Sequence, residues 1–376
     1  MRTLDNAEFR AVDFFSGVGG FSLSAARAGF LVTDAFEIDK FATRSHKMNF
    51  PKCNTHSVDL TNTTNDEILT MLNLKEGGGI SLVIGGPPCQ GFSDIGNNIE
   101  NDPRNDLFTR FFDIINSIKP TFFVAENVPG ILKEKNIKYI EHAYSKVQAD
   151  YVTLKPITLK ASDLGAPTSR TRIFFVGVRR DANISISEDD FLFSQRDRIT
   201  VEEALLGLPR DVSELKDGIA RANYVENSFH DHLRFDIPDG VGDIEAINNL
   251  KVEGIVTGML PTNHSPKVKR RYGLLKQGER DGISKAVRLK SDGFCPTLRA
   301  GTDHTRGSYQ AVRPIHPFED RVITPREAAR LQGFPDWFIF DRTIWHSFRQ
   351  IGNSVSPIVG TEVLKVLHRK LEAAHG

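Results

Sequence analysis

Ile84-Gly85-Gly86-Pro87-Pro88-Cys89-Gln90-Gly91-Phe92-Ser93 continues a short apolar run that begins at Ser81. The run Ser81 to Ile84 reads as a buried strand, and the paired glycines stop it. Pro87 and Pro88 fix φ and keep their neighbours extended, so the Cys89 thiol sits at a strand's carboxyl end and not inside a helix. In open α/β sheets that edge is where ligands bind. A cysteine there is a candidate nucleophile, and a small buried hydrophobe is the structural alternative.

Working outward, short apolar runs alternate with helical patterns, which indicates a parallel α/β sheet. Strands are expected at Ala11 to Phe15, Leu31 to Phe36, Thr55 to Val58, Ser81 to Ile84 and Thr121 to Ala125. Between them the pattern predicts helices over Gly20 to Ala28, Asp39 to Asn49, Asn65 to Leu74 and Asp106 to Ile118, with another at Lys138 to Ala149. Tyr151 to Leu159 and Arg172 to Val178 are expected to close the sheet as an antiparallel pair. After Arg179 the pattern degrades, with one helix expected at Val201 to Leu206. Thr324-Pro325-Arg326-Glu327 has the form of a capping box with proline at the first helical position, and Gly333 ends that helix. A last amphipathic helix, Pro357 to Ala374, is expected to pack back on the first domain.

The 376 residues are 39% hydrophobic and 26% charged, which is ordinary for a globular chain that buries a core and divides in two. Cys53, Cys89 and Cys295 form no CxxC pair, so neither a zinc ribbon nor a disulfide framework is indicated, and no metal is expected. No apolar h-region opens the chain and no run has the length of a membrane span, which points to a reducing cytoplasm. Net charge is zero, but its distribution is uneven. Asp181 to Glu253 holds 7 Lys/Arg against 17 Asp/Glu, net −10. Lys267 to Arg313 holds 12 against 4, net +8. Such a basic stretch is the footprint expected for a phosphate backbone, and a solvated face is the alternative.

The loop Asp13-Phe14-Phe15-Ser16-Gly17-Val18-Gly19-Gly20-Phe21 lies between the first strand and helix. Its glycines permit a tight turn and close approach of a ligand. It departs from GxGxxG, because Ser22 stands at the third glycine, and this disfavours a nicotinamide enzyme. Glu37 ends the second strand, placed for ribose hydroxyls, and Asp59 ends the third, placed for an exocyclic amine.

Six segments together resemble the DNA (cytosine-5)-methyltransferases. They are Asp13 to Gly20, Pro87-Pro88-Cys89, Glu126-Asn127-Val128, Arg170-Thr171-Arg172, Arg326 to Arg330 with Gly333-Phe334-Pro335, and Gln350-Ile351-Gly352-Asn353-Ser354-Val355. They occur in the family's order. The resemblance implies an S-adenosylmethionine-dependent, Rossmann-like sheet with a second, smaller, irregular target-recognition domain. The corresponding division is a catalytic and cofactor-binding domain at 1–180, a target-recognition domain at 181–345 and a returning segment at 346–376. It further implies methyl transfer to carbon 5 of a cytosine flipped out of a specific duplex DNA site.

In that chemistry Cys89 adds to carbon 6, which turns the ring into an enamine whose carbon 5 attacks the methyl group. Glu126 would contact ring nitrogen 3 and the amine, with burial favouring its protonated form. Arg172 would reach the base carbonyl. Arg170 is read equally as a catalytic, phosphate or structural contact. For the cofactor the resemblance implies Phe15, Gly17, Gly19, Gly20, Glu37, Ile38, Asp59, Leu60, Pro88, Leu107, Asn353, Ser354 and Val355. Ile38 stands where the family often has an aromatic residue against adenine. Phe15 is the candidate face for the sulfonium, with a core phenylalanine as the alternative. Ile95 is a candidate wedge for the vacated stack, and Lys290, Arg299 and Arg306 are candidate DNA contacts.

The same residues bear on four other readings. A zinc deaminase requires P-C-x-x-C, and Phe92 stands at the second cysteine. The missing third glycine disfavours a hydride-transfer enzyme. A tRNA cytosine-5 methyltransferase on the same scaffold remains the alternative. A non-catalytic DNA-binding relative would lack the reactive groups, yet Cys89, Glu126 and Arg172 are present. The single variable region resembles that of prokaryotic restriction–modification members, which implies a monomer that acts on DNA in the cytoplasm, with a cognate endonuclease for the same site as an open partner.

Overall fold

Strand and helix alternate through the first third of the chain because apolar residues change there from short continuous runs to helical spacing. The computed structural model describes residues 9–74, 79–88, 106–300 and 313–375. The order is β1 (Arg10–Phe14), α1 (Gly20–Arg27), β2 (Leu31–Glu37), α2 (Lys40–Asn49), β3 (Asn54–Ser57), α3 (Asn65–Met71), β4 (Leu82–Gly85), α4 (Asp106–Ile118), β5 (Phe122–Asn127) and α5 (Ile137–Ser145). Asp39 caps α2 by accepting from Phe41 and Ala42 N–H, and Thr64 opens α3 with a capping box. In α4 the buried face, Phe108, Phe111, Phe112, Ile114, Ile115 and Ile118, covers one side of the sheet.

The sheet has eight strands in the order β3-β2-β1-β4-β5, then β8 (Thr171–Arg179) and β6 (Tyr151–Thr153), with β7 (Ile157–Lys160) also paired to β8. The first five strands are parallel, whereas β8 runs antiparallel to β5 and to both β6 and β7. The strand expected over Tyr151 to Leu159 is therefore two strands. Pro156 lies in the break and has no N–H for a ladder. Strand order reverses between β1 and β4, so the loops after those strands diverge and leave a crevice.

Beyond Arg179 the structure is more regular than the sequence suggested. It holds α6 (Val201–Leu205), β9 (Ala220–Arg221), α7 (Ser228–Arg234), α8 (Ile244–Glu253), β10 (Ile255–Val256) and α9 (Pro266–Gly273). The three extra helices are capped by Asn227, Asp243 and Ser265, signals that weak apolar periodicity concealed. Then follow α10 (Pro325–Gln332), α11 (Ile344–Asn353) and α12 (Pro357–His375). The expected capping box is present in α10, and Gly333 ends it in the left-handed region. Helix α12 packs on α1, where Ser24 Oγ donates to the Pro357 carbonyl.

One buried apolar cluster runs through Phe21 of α1, Leu233 of α7, Leu250 of α8, Leu331 of α10 and Leu364 of α12. Asn49 adds polar ties: its amide donates to the Ile339 carbonyl at 2.7 Å, and its own carbonyl accepts from Gly242 N–H. Among the described residues no helix is long and apolar enough to cross a membrane.

Candidate active site

The carboxyl ends of β4 and β5 carry the reactive motifs. Pro87 and Pro88 leave β4, and Pro88 is the last described residue before Cys89. Cys89, Ile95 and Arg306 lie outside the described residues. On the neighbouring strand, Glu126 is buried at the end of β5. Its Oε1 lies 2.6 Å from Nε of Arg172 on β8. The contact lacks hydrogen-bond alignment, so it is an ion pair held by charge. Glu126 also borders Gly86, where a Cβ would stand 3.7 Å from Oε2. Asn127 donates through Nδ2 to the Pro87 carbonyl at 3.5 Å and ties the two strand ends together. Pro87, Pro88, Glu126 and Arg172 therefore share one sheet edge.

Arg170 belongs to a different set of contacts. It is buried, and its Nη1 donates to the carbonyls of Gly352 at 3.0 Å and Leu298 at 3.5 Å. These bonds join the segment before β8 to α11 and to the chain before Arg299. Of the readings open for Arg170, its described contacts support a positioning role.

The glycine loop follows β1. Phe15 adopts a positive φ of 57°, which costs a non-glycine residue about 1–2 kcal/mol and is retained where the surroundings impose it. Of this loop's glycines Gly17 alone faces open space: a Cβ there would meet nothing within 4 Å. Its N–H donates to Glu37 Oε2 at 2.8 Å, while Asp39 N–H donates to Oε1 at 2.7 Å. Burial pushes the Glu37 carboxyl above its ordinary value. Gly19 and Gly20 face inward instead. A Cβ on Gly19 would overlap Phe50, and one on Gly20 would overlap Ser354 Oγ and stand 2.6 Å from the Val355 carbonyl. At these two glycines the loop is seated closely on its neighbours.

Beneath the loop lies a buried polar chain. Ser22 Oγ donates to Asp13 Oδ2 at 2.6 Å and meets His46 Nε2 at 3.0 Å, and His46 Nδ1 meets Thr55 Oγ1 at 3.0 Å. Burial raises the Asp13 carboxyl to about 8 and lowers the His46 imidazole to about 3. Ser22, which stands where a third glycine was sought, thus links the loop strand to α2. The sequence carried no spacing signal for this chain, because its members come from four separate elements or their flanks.

The remaining cofactor positions differ in exposure. Ile38 is 64% exposed beside Glu37. Asp59 is tied up locally by Thr61 N–H and hydroxyl on Oδ1 and by Asn62 on Oδ2, and these bonds hold it below the usual carboxylate range. At Leu60 the side chain is buried in the core and the carbonyl accepts from Arg110 Nε. Leu107 is half-buried in the first turn of α4. Asn353 is exposed at the end of α11, whereas Ser354 and Val355 turn inward, with Ser354 Oγ donating to the Val355 carbonyl. Lys290 and Arg299 are exposed, and the backbone of Arg299 lies against Gly352.

The pattern of the C-5 cytosine-specific DNA methylases matches residues 9–369. The chain belongs to that family. As a DNA (cytosine-5)-methyltransferase it has the fold of the S-adenosylmethionine-dependent enzymes, with the crevice at the β1/β4 reversal. The type II methyltransferase M.XorII of Xanthomonas oryzae pv. oryzae is 36% identical over 96% of this chain and 86% of its own length. M.DdeI of Desulfomicrobium norvegicum is 30% identical over 93% and 86%. A solved structure assigned as a DNA modification methyltransferase encoded within an Escherichia coli prophage superposes with a TM-score of 0.86 at 45% identity, covering 97% of this chain and all of that one. The Schizosaccharomyces pombe Dnmt2 structure, at 18% identity and a TM-score of 0.62, shares the fold over 97% of this methyltransferase and 99% of its own chain.

Proposed function

We propose that this methyltransferase places a methyl group from S-adenosylmethionine on carbon 5 of a cytosine turned out of a specific duplex DNA sequence. It would do so as the modification half of a type II restriction–modification pair, acting as a monomer on DNA in a prokaryotic cytoplasm. The observation that carries the reading is the Glu126–Arg172 pair, 2.6 Å apart, at the sheet edge that Pro87 and Pro88 share. In this reading Cys89, next in sequence after Pro88, supplies the thiolate. It adds to carbon 6, carbon 5 gains the methyl group, the carbon 5 proton leaves and the carbon–sulfur bond breaks. Glu126 holds the base by its ring nitrogen and amine edge. Arg172 fixes the carboxyl group of Glu126 and presents its own N–H groups to the base carbonyl.

The residues at the other side of the crevice fit the cofactor. The space at Gly17 would be filled by any side chain there, and Glu37, anchored by two backbone N–H groups, keeps lone pairs for ribose hydroxyls. Exposed Ile38 offers an apolar face to adenine, Phe15 a ring face to a cation, and Asn353 an amide to the amino-acid part. Bound there, S-adenosylmethionine supplies an electrophilic methyl group. Residues 181–345 would carry target recognition, with the net-positive stretch toward phosphates.

Incubation with labelled methyl donor and random-sequence duplex DNA, followed by base analysis, tests the reading. Label in 5-methylcytosine supports it, and label only in tRNA selects the alternative substrate. Duplex carrying 5-fluorocytosine is expected to trap a covalent complex that Cys89→Ala abolishes; a complex that survives in that variant removes Cys89 from its role.

A further inference from the structure

The cations between Lys267 and Arg313 divide into two groups. Arg271, Arg288 and Arg313 are used inside the protein. Arg271 pairs with buried Asp281 at 2.6 Å. Arg288 donates to the Tyr272 carbonyl at 2.8 Å and pairs with Asp320 at 3.1 Å. Arg313 lies over the Phe348 ring at 4.5 Å. Tyr272, Ala286, Ile315 and Val322 form a small separate core under α9.

The second group faces outward. On α9, Val268 and Tyr272 pack on that small core, while Lys267, Lys269 and Arg270 are exposed and form no ion pair among the described residues. At 100° per residue these three span about 160° of arc opposite the apolar side. Lys267 and Lys269 sit in the first turn at a cost to the helix, whereas Arg270 belongs to its last turn. The first turn of α9 has no acidic residue, and cations near a helix N-terminus oppose the macrodipole. Folding alone does not account for them, whereas an external polyanion does.

The chain then connects this surface to the reactive edge. Gly293 accepts from Val201 N–H, Cys295 pairs with Pro167 and Ser169, and Leu298 accepts from Arg170. The ten steps of chain from Arg288 to Leu298 span at most about 35 Å, about one turn of duplex.

We propose that the outer face of α9, through Lys267, Lys269 and Arg270, is a sequence-independent clamp on the phosphate backbone of duplex DNA. The inference rests on the DNA-modifying reading above and adds to it the surface that grips phosphate without reading bases.

The test uses the full chain and a labelled random-sequence duplex, with affinity measured between about 50 and 200 mM salt. Each phosphate contact contributes about 0.9 to the slope of log affinity on log salt, so Lys267→Gln/Lys269→Gln/Arg270→Gln is expected to lower that slope by about 3. Its affinity then falls about 40-fold less than the wild type's across that range. Lys267→Arg/Lys269→Arg/Arg270→Lys, which keeps the charges, is expected to retain the wild-type slope. An unchanged slope in the glutamine variant overturns the clamp, as does an equal loss in the charge-keeping variant, which would mark a structural defect. If the wild type methylates cytosine in DNA while the slope is unaffected, the clamp alone fails. If methyl label and salt-sensitive binding occur only with tRNA, both readings fail.

Discussion

Burial displaces the ionisation of Asp13 and of His46, and it does so in opposite directions. Burial raises the Asp13 carboxyl to about 8, so its contribution to stability is whole below about pH 4 and is lost as pH rises toward about 8. Burial lowers His46 to about 3, so its contribution is whole above about pH 6.5 and is lost as pH falls toward about 3. Ser22 between them serves both. As donor to Asp13 it leaves His46 Nε2–H to donate to its oxygen; a protonated Asp13 permits the reverse order. Thermal melts across pH are therefore expected to show Asp13→Asn losing less midpoint between about pH 6.5 and 8.5 than the wild type. Equal losses would mean that Asp13 is ionised in the folded protein. Ser22→Ala leaves the buried carboxyl without its partner and is expected to cost about 1–3 kcal/mol, read from denaturant unfolding.

At the scale of elements, the loop after β1 works because its glycines do different jobs. Gly20 lets α1 approach the segment after α11, since a Cβ there would overlap Ser354 Oγ and stand 2.6 Å from the Val355 carbonyl. Gly20→Ala is expected to cost about 1–3 kcal/mol of stability through overpacking. Gly17→Ala meets no neighbour and carries only the strain of φ +55°, about 1–2 kcal/mol, so its loss should appear chiefly as weaker donor binding. Similar KM values for the two variants at matched stability would show that Gly17 does not border the donor. The β5–β8 pairing has a comparable role for the base: register sets Glu126 opposite Phe174 and brings Arg172 alongside. Arg172→Ala is expected to lower kcat by about 10²–10⁴ without a comparable loss of DNA affinity, measured by single-turnover methyl transfer.

Across the whole molecule, the division by charge and chain order is not a division of the core. The main apolar cluster takes in residues from α1, α7, α8, α10 and α12, and Arg27 of α1 pairs with Asp236 beyond α7 at 3.1 Å. Arg330 and Asp336 add a fully buried pair whose cation also donates to the Leu206 carbonyl at 2.6 Å. Calorimetry of the full chain is expected to show one cooperative transition. Two resolved transitions, with residues 181–345 melting separately, would contradict the shared core. Asp336→Asn leaves Arg330 buried without its counter-charge and is expected to lower stability by about 3–5 kcal/mol.

Much of this protein is written in local pattern. The strand–helix alternation, the glycine loop after β1, the proline-fixed exit from β4 and the capping box of α10 depend on side-chain period and on φ restrictions, which act over a few residues. Only tertiary structure decided which partners meet. Glu126 finds Arg172 through an antiparallel strand added beside β5, Ser22 finds His46 through the packing of α1 on α2, and Leu60 turns into the core although its neighbour Asp59 stays at the surface. Those outcomes follow from register and close packing summed over the whole sheet, and no short window of sequence contains the neighbours that determine them.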